Sequence, residues 1–294
     1  HGHPANLTGK LFNAVQYELD KNGYLDYAHI EEMALMHKPK LIICGFTAYP
    51  RSFDFAKFRA IADKVGAYLM ADISHISGLC STGVHPSPFP YADVVTTTTH
   101  KVLRGPRGGM IYCRKQFGAQ IDKAIIPGLQ GGPHMNNIAG LAIALKEAQT
   151  PNYKNYAKQV VKNAKVLAEG LSAEGFKLIS GGTDNHLILI DCVQSAEQVK
   201  TKNGTVMAEA LEKAGIICNK NAVPGDPKPW NPSGIRLGTP AITTVGLKEP
   251  EMQMLAKWIA RVAQNPENAE VLAEIKNEVA ELMQKFDLQK TLLI

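Results

Sequence analysis

The sequence predicts an α/β protein, with a mainly parallel sheet in the first half and a smaller α+β domain in the second. Three observations lead there. Over the first half, short apolar runs of strand length alternate with stretches of helical periodicity, the pattern of parallel strands joined by crossover helices. A Gly-rich turn, Arg104 to Gly109, follows the last run of that series. Beyond Pro151 the order changes to long helices with short strands between them.

The elements follow in order. Residues 40–46 read as a strand, and residues 67–73 as another. Between them Phe55, Phe58, Ile61, Ala62 and Val65 recur at helical spacing, and Gly66 stops the helix. Residues 93–98 form a third strand, and residues 109–113 a fourth after the Gly-rich turn. Pro127 to Pro133 is a loop by its turn chemistry, and a helix-rich stretch begins near Met135. Tyr156, Val160, Val161, Ala164, Leu167 and Leu171 mark the apolar face of a long helix that Gly175 ends. Strands at 177–179 and 186–192, a helix at 206–214, strands at 216–219 and 235–237, and helices at 248–262 and 269–286 complete the reading. Residues 1–150 and 151–294 are thus expected to be two domains, with no internal repeat and no low-complexity segment.

Composition narrows the class. A hydrophobic content of 45% with 20% charged residues describes an ordinary globular protein. No apolar run reaches the roughly 20 residues of a membrane helix, and the opening residues are not a signal peptide. The net charge of +5 is spread along the chain. It reads as a solvated surface, or else as a preference for anionic small molecules. No basic patch marks a nucleic-acid module. The 5 cysteines (Cys44, Cys80, Cys113, Cys192, Cys218) form no C-x-x-C pair and read as buried thiols of a reducing compartment. A cytoplasmic location is expected, with a mitochondrial one as the alternative. His1 and His3 are incidental rather than metal ligands. The sequence opens at His1 without a methionine, which reads as a missing N-terminal part or as processing.

One address is unusual. Thr96-Thr97-Thr98-Thr99-His100-Lys101 ends a β-branched run and leads into Leu103-Arg104-Gly105-Pro106-Arg107-Gly108-Gly109. A lysine among hydroxyls, a histidine and two arginines suits an amine held without its proton, because neighbouring cations and desolvation lower its pKa. Such an amine attacks carbonyls and can carry a carbonyl cofactor as a Schiff base. Asp72 ends the strand at 67–73, where an acid is costly unless paired. It reads as a turn or cap residue, or as the partner of a protonated pyridine nitrogen. Thr47, Asp72 and Lys101 all fall near carboxyl ends of strands, where ligands of α/β sheets collect.

The remaining candidates are read the same way. His75 could contact such a ring or its phenolic oxygen. Strand alternation turns half of the threonines to each face, and Thr98 shares a face, roughly, with His100. Arg104 and Arg107 either grip an anion or fix the loop. The Gly-rich runs at 105–109 and 128–132 could offer backbone N–H groups to a phosphate. Neither matches a dinucleotide or P-loop motif, and there is no H-E-x-x-H or G-x-S-x-G. Gly181-Gly182-Thr183-Asp184-Asn185-His186 reads as a capped turn before a buried strand. Arg236 sits between apolar neighbours bracketed by Gly234 and Gly238, so it needs an anion: a substrate carboxylate, or a structural ion pair.

Together these residues resemble the serine hydroxymethyltransferases, fold-type I pyridoxal-phosphate (PLP) enzymes. The matching stretches are Val95 to Lys101, Arg104 to Gly109, Gln130-Gly131-Gly132-Pro133, Gly181 to His186, Asn219-Lys220-Asn221 and Gly234 to Ala241, in the family's order across nearly the whole chain. The run of threonines into His100-Lys101 separates this family from related PLP aldolases. The resemblance implies an α/β, mainly parallel large domain with a smaller α+β C-terminal domain. It implies that Lys101 forms the internal aldimine and Asp72 pairs with the pyridine nitrogen. Thr47 and His75 lie by the ring, and His100, Thr98 and Arg107 by the cofactor. Gly132 reaches the phosphate of a neighbouring subunit's cofactor, Arg236 binds the amino-acid carboxylate, and Asn221 with the loop through Pro229 lies at the folate site. The implied reaction moves the hydroxymethyl carbon of serine to tetrahydrofolate in a homodimer or homotetramer, with no nucleic acid and no membrane.

The sequence also differs from the family's pattern. Val245 stands where the family usually has Arg, and Thr47 where it has Ser. The family's N-terminal region is expected to lie outside these residues, with the ring-stacking His and the Glu and Tyr of its acid–base steps. The isolated chain is therefore expected to lack groups that the reaction uses. Two rival readings stand beside this one: a threonine-type aldolase without folate, and a non-catalytic fragment that binds RNA or a partner.

Overall fold

Where the apolar runs fall, the strands form, and the computed structural model describes them over residues 2–195, 197–226 and 231–287. His1 and the loop through Pro229 lie outside the described residues. Two helices precede the first strand, α1 (Leu7–Leu11) and α2 (Tyr27–His37). Asp26 caps α2 by accepting the Ala28 and His29 N–H groups. That helix buries only Ile30 and Ala34, so its apolar period is too thin to read from sequence.

Next come β1 (Leu41–Cys44), α3 (Phe55–Val65), β2 (Tyr68–Asp72), a short α4 (Ser77–Ser81), β3 (Val94–Thr98) and β4 (Gly109–Cys113). Phe55, Phe58, Ile61 and Ala62 bury the predicted face of α3, and Gly66 ends it in the left-handed conformation at φ +69°. Burial of each large side chain contributes about 1.5–3 kcal/mol. The sheet runs β1-β2-β3-β4. β1, β2 and β3 are parallel, whereas β4 returns antiparallel. The turn between β3 and β4 is too short for a crossover helix, which forces that reversal. The carboxyl ends of three strands therefore share one edge. Gly45 permits their close approach: a Cβ there would stand 2.1 Å from the Asp72 carbonyl.

After α5 (Gly118–Lys123), a kinked helical turn spans Ala124–Leu129, with non-helical backbone at Ile126 and Pro127. The predicted loop at 127–133 thus begins inside that turn and opens out from Gln130. Then follow α6 (Met135–Glu147) and the long α7 (Pro151–Ala173). Thr150 caps α7, and Pro151 occupies its first turn, where no N–H is needed. The helix serves both halves. Tyr153 donates its hydroxyl to the Val102 carbonyl at 2.8 Å, and Ala157 and Val160 pack with Leu79 and Val102. Leu167, Ala168 and Leu171 enter the larger C-terminal core.

That core backs a second sheet of β5 (Lys177–Leu178), β6 (Leu187–Asp191), β7 (Asn219–Asn221) and β8 (Gly234–Gly238), in the order β5-β6-β8-β7 with antiparallel pairing throughout. α8 (Gly204–Lys213), α9 (Pro240–Val245), α10 (Glu249–Gln264) and α11 (Ala269–Met283) pack around it. One element moves. The strand expected at 216–219 lies instead at Asn219–Asn221. Ile216 seals the core and Ile217 points to solvent, while polar residues pair with β8. The apolar signal marked the core contact rather than the ladder.

Candidate active site

The ends of β2 and β3 are stitched by one serine. Asp72 Oδ1 accepts the Ser74 N–H at 2.9 Å. Ser74 Oγ accepts the Thr98 N–H at 3.0 Å, and Thr98 Oγ1 donates back to the Ser74 carbonyl at 3.3 Å. Strand alternation buries Thr97 and Thr99, leaving Thr96 and Thr98 on the half-buried face. Thr99 accepts nothing from the cleft: its N–H bonds the Gly108 carbonyl and its hydroxyl the Pro106 carbonyl, which fixes the Gly-rich turn.

Lys101 Nζ donates to Thr98 Oγ1 at 3.0 Å. Burial lowers the affinity of this amine for its proton, the Asp72 carboxylate opposes that, and Arg236 and Arg107 lower it further. The His100 pKa is lowered by burial and then by Arg107 and Lys101, against a hydrogen bond with the Gly108 backbone that raises it. Its Nδ1 is buried without a hydrogen-bond partner. His75 is pushed down to about 4, by burial and then by Arg236 and Lys101. Its ring stacks parallel on His186, with centroids 6.2 Å apart. His186 is fully enclosed, and burial pushes it down to about 3.

Arg236 reaches this edge from the second sheet. Its Nη1 donates to the Thr47 carbonyl at 2.7 Å and its Nη2 to Asn219 Oδ1 at 2.8 Å. Among the described residues no carboxylate lines the cleft around it. The structural ion pair, one of its two readings, is therefore not what these residues build. Thr47 contributes its backbone carbonyl, and its side chain is exposed. The turn at 181–186 binds the two sheets together: Asn185 donates to the Tyr49 carbonyl at 3.0 Å, and Arg51 pairs with Asp184 at 2.9 Å.

These groups enclose a cleft of about 430 Å³ lined by His75, His100, Lys101, His186, Asn219 and Arg236 among others. A larger cleft of about 630 Å³ opens beside the buried Thr97. Lys154 is the one charged residue among its described lining, so the reactive groups gather in the smaller cleft. Six sequence candidates do not line it: Thr98 and Thr47 bond Lys101 and Arg236, Asp72 acts on Lys101 through its charge, and Gly132, Arg107 and Asn221 remain. Gly132 is exposed with open space around it. Arg107 is exposed and acts on Lys101 and His100 through its charge. Asn221 spends its amide on the Ala222 carbonyl at 2.7 Å. Arg104 also lines the cleft and lies over the Tyr156 ring at 4.2 Å, a contact that steadies the loop and leaves both of its readings open. Sequence reasoning placed Asn219 and His186 in matching stretches but gave neither a role. The pairing of Asn219 opposite Arg236 is a register property that no local pattern displays.

An amine with a lowered proton affinity, an acid close enough to act on it, and a cluster of cations suit pyridoxal phosphate. The orphaned His100 Nδ1 adds a buried polar atom that needs a ligand. Comparison with known proteins agrees. The family model for serine hydroxymethyltransferase matches residues 1–259. The serine hydroxymethyltransferase of Desulfotalea psychrophila is 55% identical over 287 residues, covering 97% of this chain and 66% of that protein. That of Sorangium cellulosum is 51% identical over 288 residues, covering 97% and 67%. This chain spans about two thirds of the length of those relatives. On this match, with the α/β fold and its mostly parallel sheet, the chain belongs to the serine hydroxymethyltransferase family of fold-type I transferases.

Proposed function

We propose that this chain forms the body of an enzyme that moves the hydroxymethyl carbon of serine reversibly to tetrahydrofolate, giving glycine and 5,10-methylenetetrahydrofolate. The observation that carries the reading is the meeting of Lys101 and Arg236 in one cleft, from separate sheets. Pyridoxal phosphate bound there supplies an electron sink for the bond that breaks at the amino acid's α-carbon.

The chain's own residues do the rest. Lys101, steadied by Thr98 and inclined to give up its proton, would be the amine that holds the cofactor through its aldehyde. Asp72 would hold a proton on the ring nitrogen. His75, neutral at physiological pH, would face the phenolic oxygen, its ring lying parallel to that of His186. His100 turns its unpartnered Nδ1 to the cofactor region. Arg236 receives the substrate carboxylate with the N–H groups left over from Thr47 and Asn219.

Residues 1–150 form the cofactor-binding domain and residues 151–294 the smaller one. Arg107 and Gly132, both exposed, serve phosphate at the edge of the site, Gly132 in a neighbouring subunit of a homodimer or homotetramer. Asn221 takes part in holding folate. Among the described residues no helix is long and apolar enough to cross a membrane, and the cytoplasm is the proposed compartment.

An absorbance scan with added pyridoxal phosphate tests the reading. The chain should develop a yellow band that Lys101→Ala abolishes; an unchanged band removes Lys101 from its role. Serine turnover that requires tetrahydrofolate separates this function from a folate-free aldolase.

A further inference from the structure

Arg236 is held by two neutral acceptors, one from each sheet's surroundings. Thr47 offers a backbone carbonyl, and Asn219 offers a side-chain oxygen from the strand paired with β8. Asn219 and Arg236 are directly opposed in the β7–β8 ladder, so their side chains emerge on the same face. Each contact takes one N–H of a guanidinium that has five. Three remain, enough for a carboxylate to bind bidentately.

The neutrality of both acceptors matters more than their number. A carboxylate in the place of Asn219 would satisfy the guanidinium by charge as well as by geometry, leaving little for an incoming anion. An amide oxygen orients the fork and leaves its charge unmatched. No other carboxylate among the described residues lines the cleft to compensate it.

We infer that Asn219 is a positioning residue that presents Arg236, charged and oriented, to the carboxylate of the amino-acid substrate. This rests on the proposed role of Arg236 as the carboxylate site. Asn219 is exposed, so its replacement leaves the core intact.

The experiment uses the full 294-residue chain loaded with pyridoxal phosphate and titrated with glycine and with glycinamide, which lacks the carboxylate. Asn219→Asp, Asn219→Ala and Arg236→Lys are compared with the unchanged chain. Asn219→Asp should weaken glycine about tenfold or more, and Asn219→Ala by a smaller factor, while glycinamide stays within about twofold. A cofactor-free readout accompanies this. In NMR spectra of the apo chain, hindered rotation should resolve the Arg236 Nη signals, and Asn219→Ala should merge them.

Glycine affinity within about twofold of the unchanged chain in both Asn219 variants, with Arg236→Lys impaired, overturns the inference and spares Arg236. Normal glycine binding by Arg236→Lys overturns the carboxylate role itself, and the inference with it. A loaded chain that takes up no glycine overturns both.

Discussion

Removing the Arg236 side chain probes the substrate end of the site. Arg236→Ala deletes a guanidinium whose two occupied N–H groups bond Thr47 and Asn219 at 2.7 and 2.8 Å, and frees the cleft of its principal anion-binding cation. A hydrogen bond to a charged group contributes about 1.5–3 kcal/mol. At about 1.4 kcal/mol per factor of ten, loss of the carboxylate contact should raise the serine KM by one to two orders of magnitude. Burial lowers the pKa of Arg236, yet an arginine stays protonated at neutral pH, so the effect should persist across the physiological range. Arg236→Lys keeps the charge without the fork and should fall between. Steady-state serine kinetics on pyridoxal-phosphate-loaded full-length enzyme carrying these residues, with melting temperatures as a control for folding, measure this. A KM change below about twofold in Arg236→Ala refutes the carboxylate role.

Two further outcomes follow from the surroundings of the cleft. Asn185 is wholly buried and bonds the Tyr49 carbonyl and the Leu187 N–H, so Asn185→Ala should lower stability by about 1–3 kcal/mol in urea denaturation; a change of a few tenths would remove it from the seam. His186 resists protonation down to about 3 in the fold, whereas its ordinary value is 6.5. The unfolded chain therefore binds the extra proton first, and stability falls as pH drops below that ordinary value, by up to about 1.4 kcal/mol per pH unit. His186→Phe should flatten this acid limb between about pH 3 and 6.5; an unchanged slope refutes the assignment.

Local sequence revealed the residues whose position is expensive. Lys101 and Asp72 stand at the ends of apolar strands, where a charge needs a reason, and Arg236 stands bracketed by apolar neighbours and glycines. The α3 face was equally legible because four large or small apolar residues recur at one period and Gly66 ends it. What stayed hidden depends on how the two sheets meet. The parallel stacking of His75 on His186, separated by more than a third of the chain, follows from the 181–186 turn docking on Tyr49 and Arg51. Asn219 acquires its partner from strand register, and the strand itself is polar, so no hydrophobic pattern announced it. Thr47 was noticed for its place at a strand end, but the atom that bonds Arg236 is its carbonyl, which every residue type carries. For Arg104, sequence left two uses open, and its place over the tyrosine rings of α7, in the lining of the cleft, fits both.

The central claim is that the Lys101 amine is the covalent anchor for a carbonyl cofactor. Loading the chain with pyridoxal phosphate, reducing it with borohydride and digesting it with trypsin reads this directly. A pyridoxyl mass adduct should appear on the peptide containing Lys101 and be absent from Lys101→Ala. A label distributed over exposed lysines, with Lys101 unmodified, would contradict it.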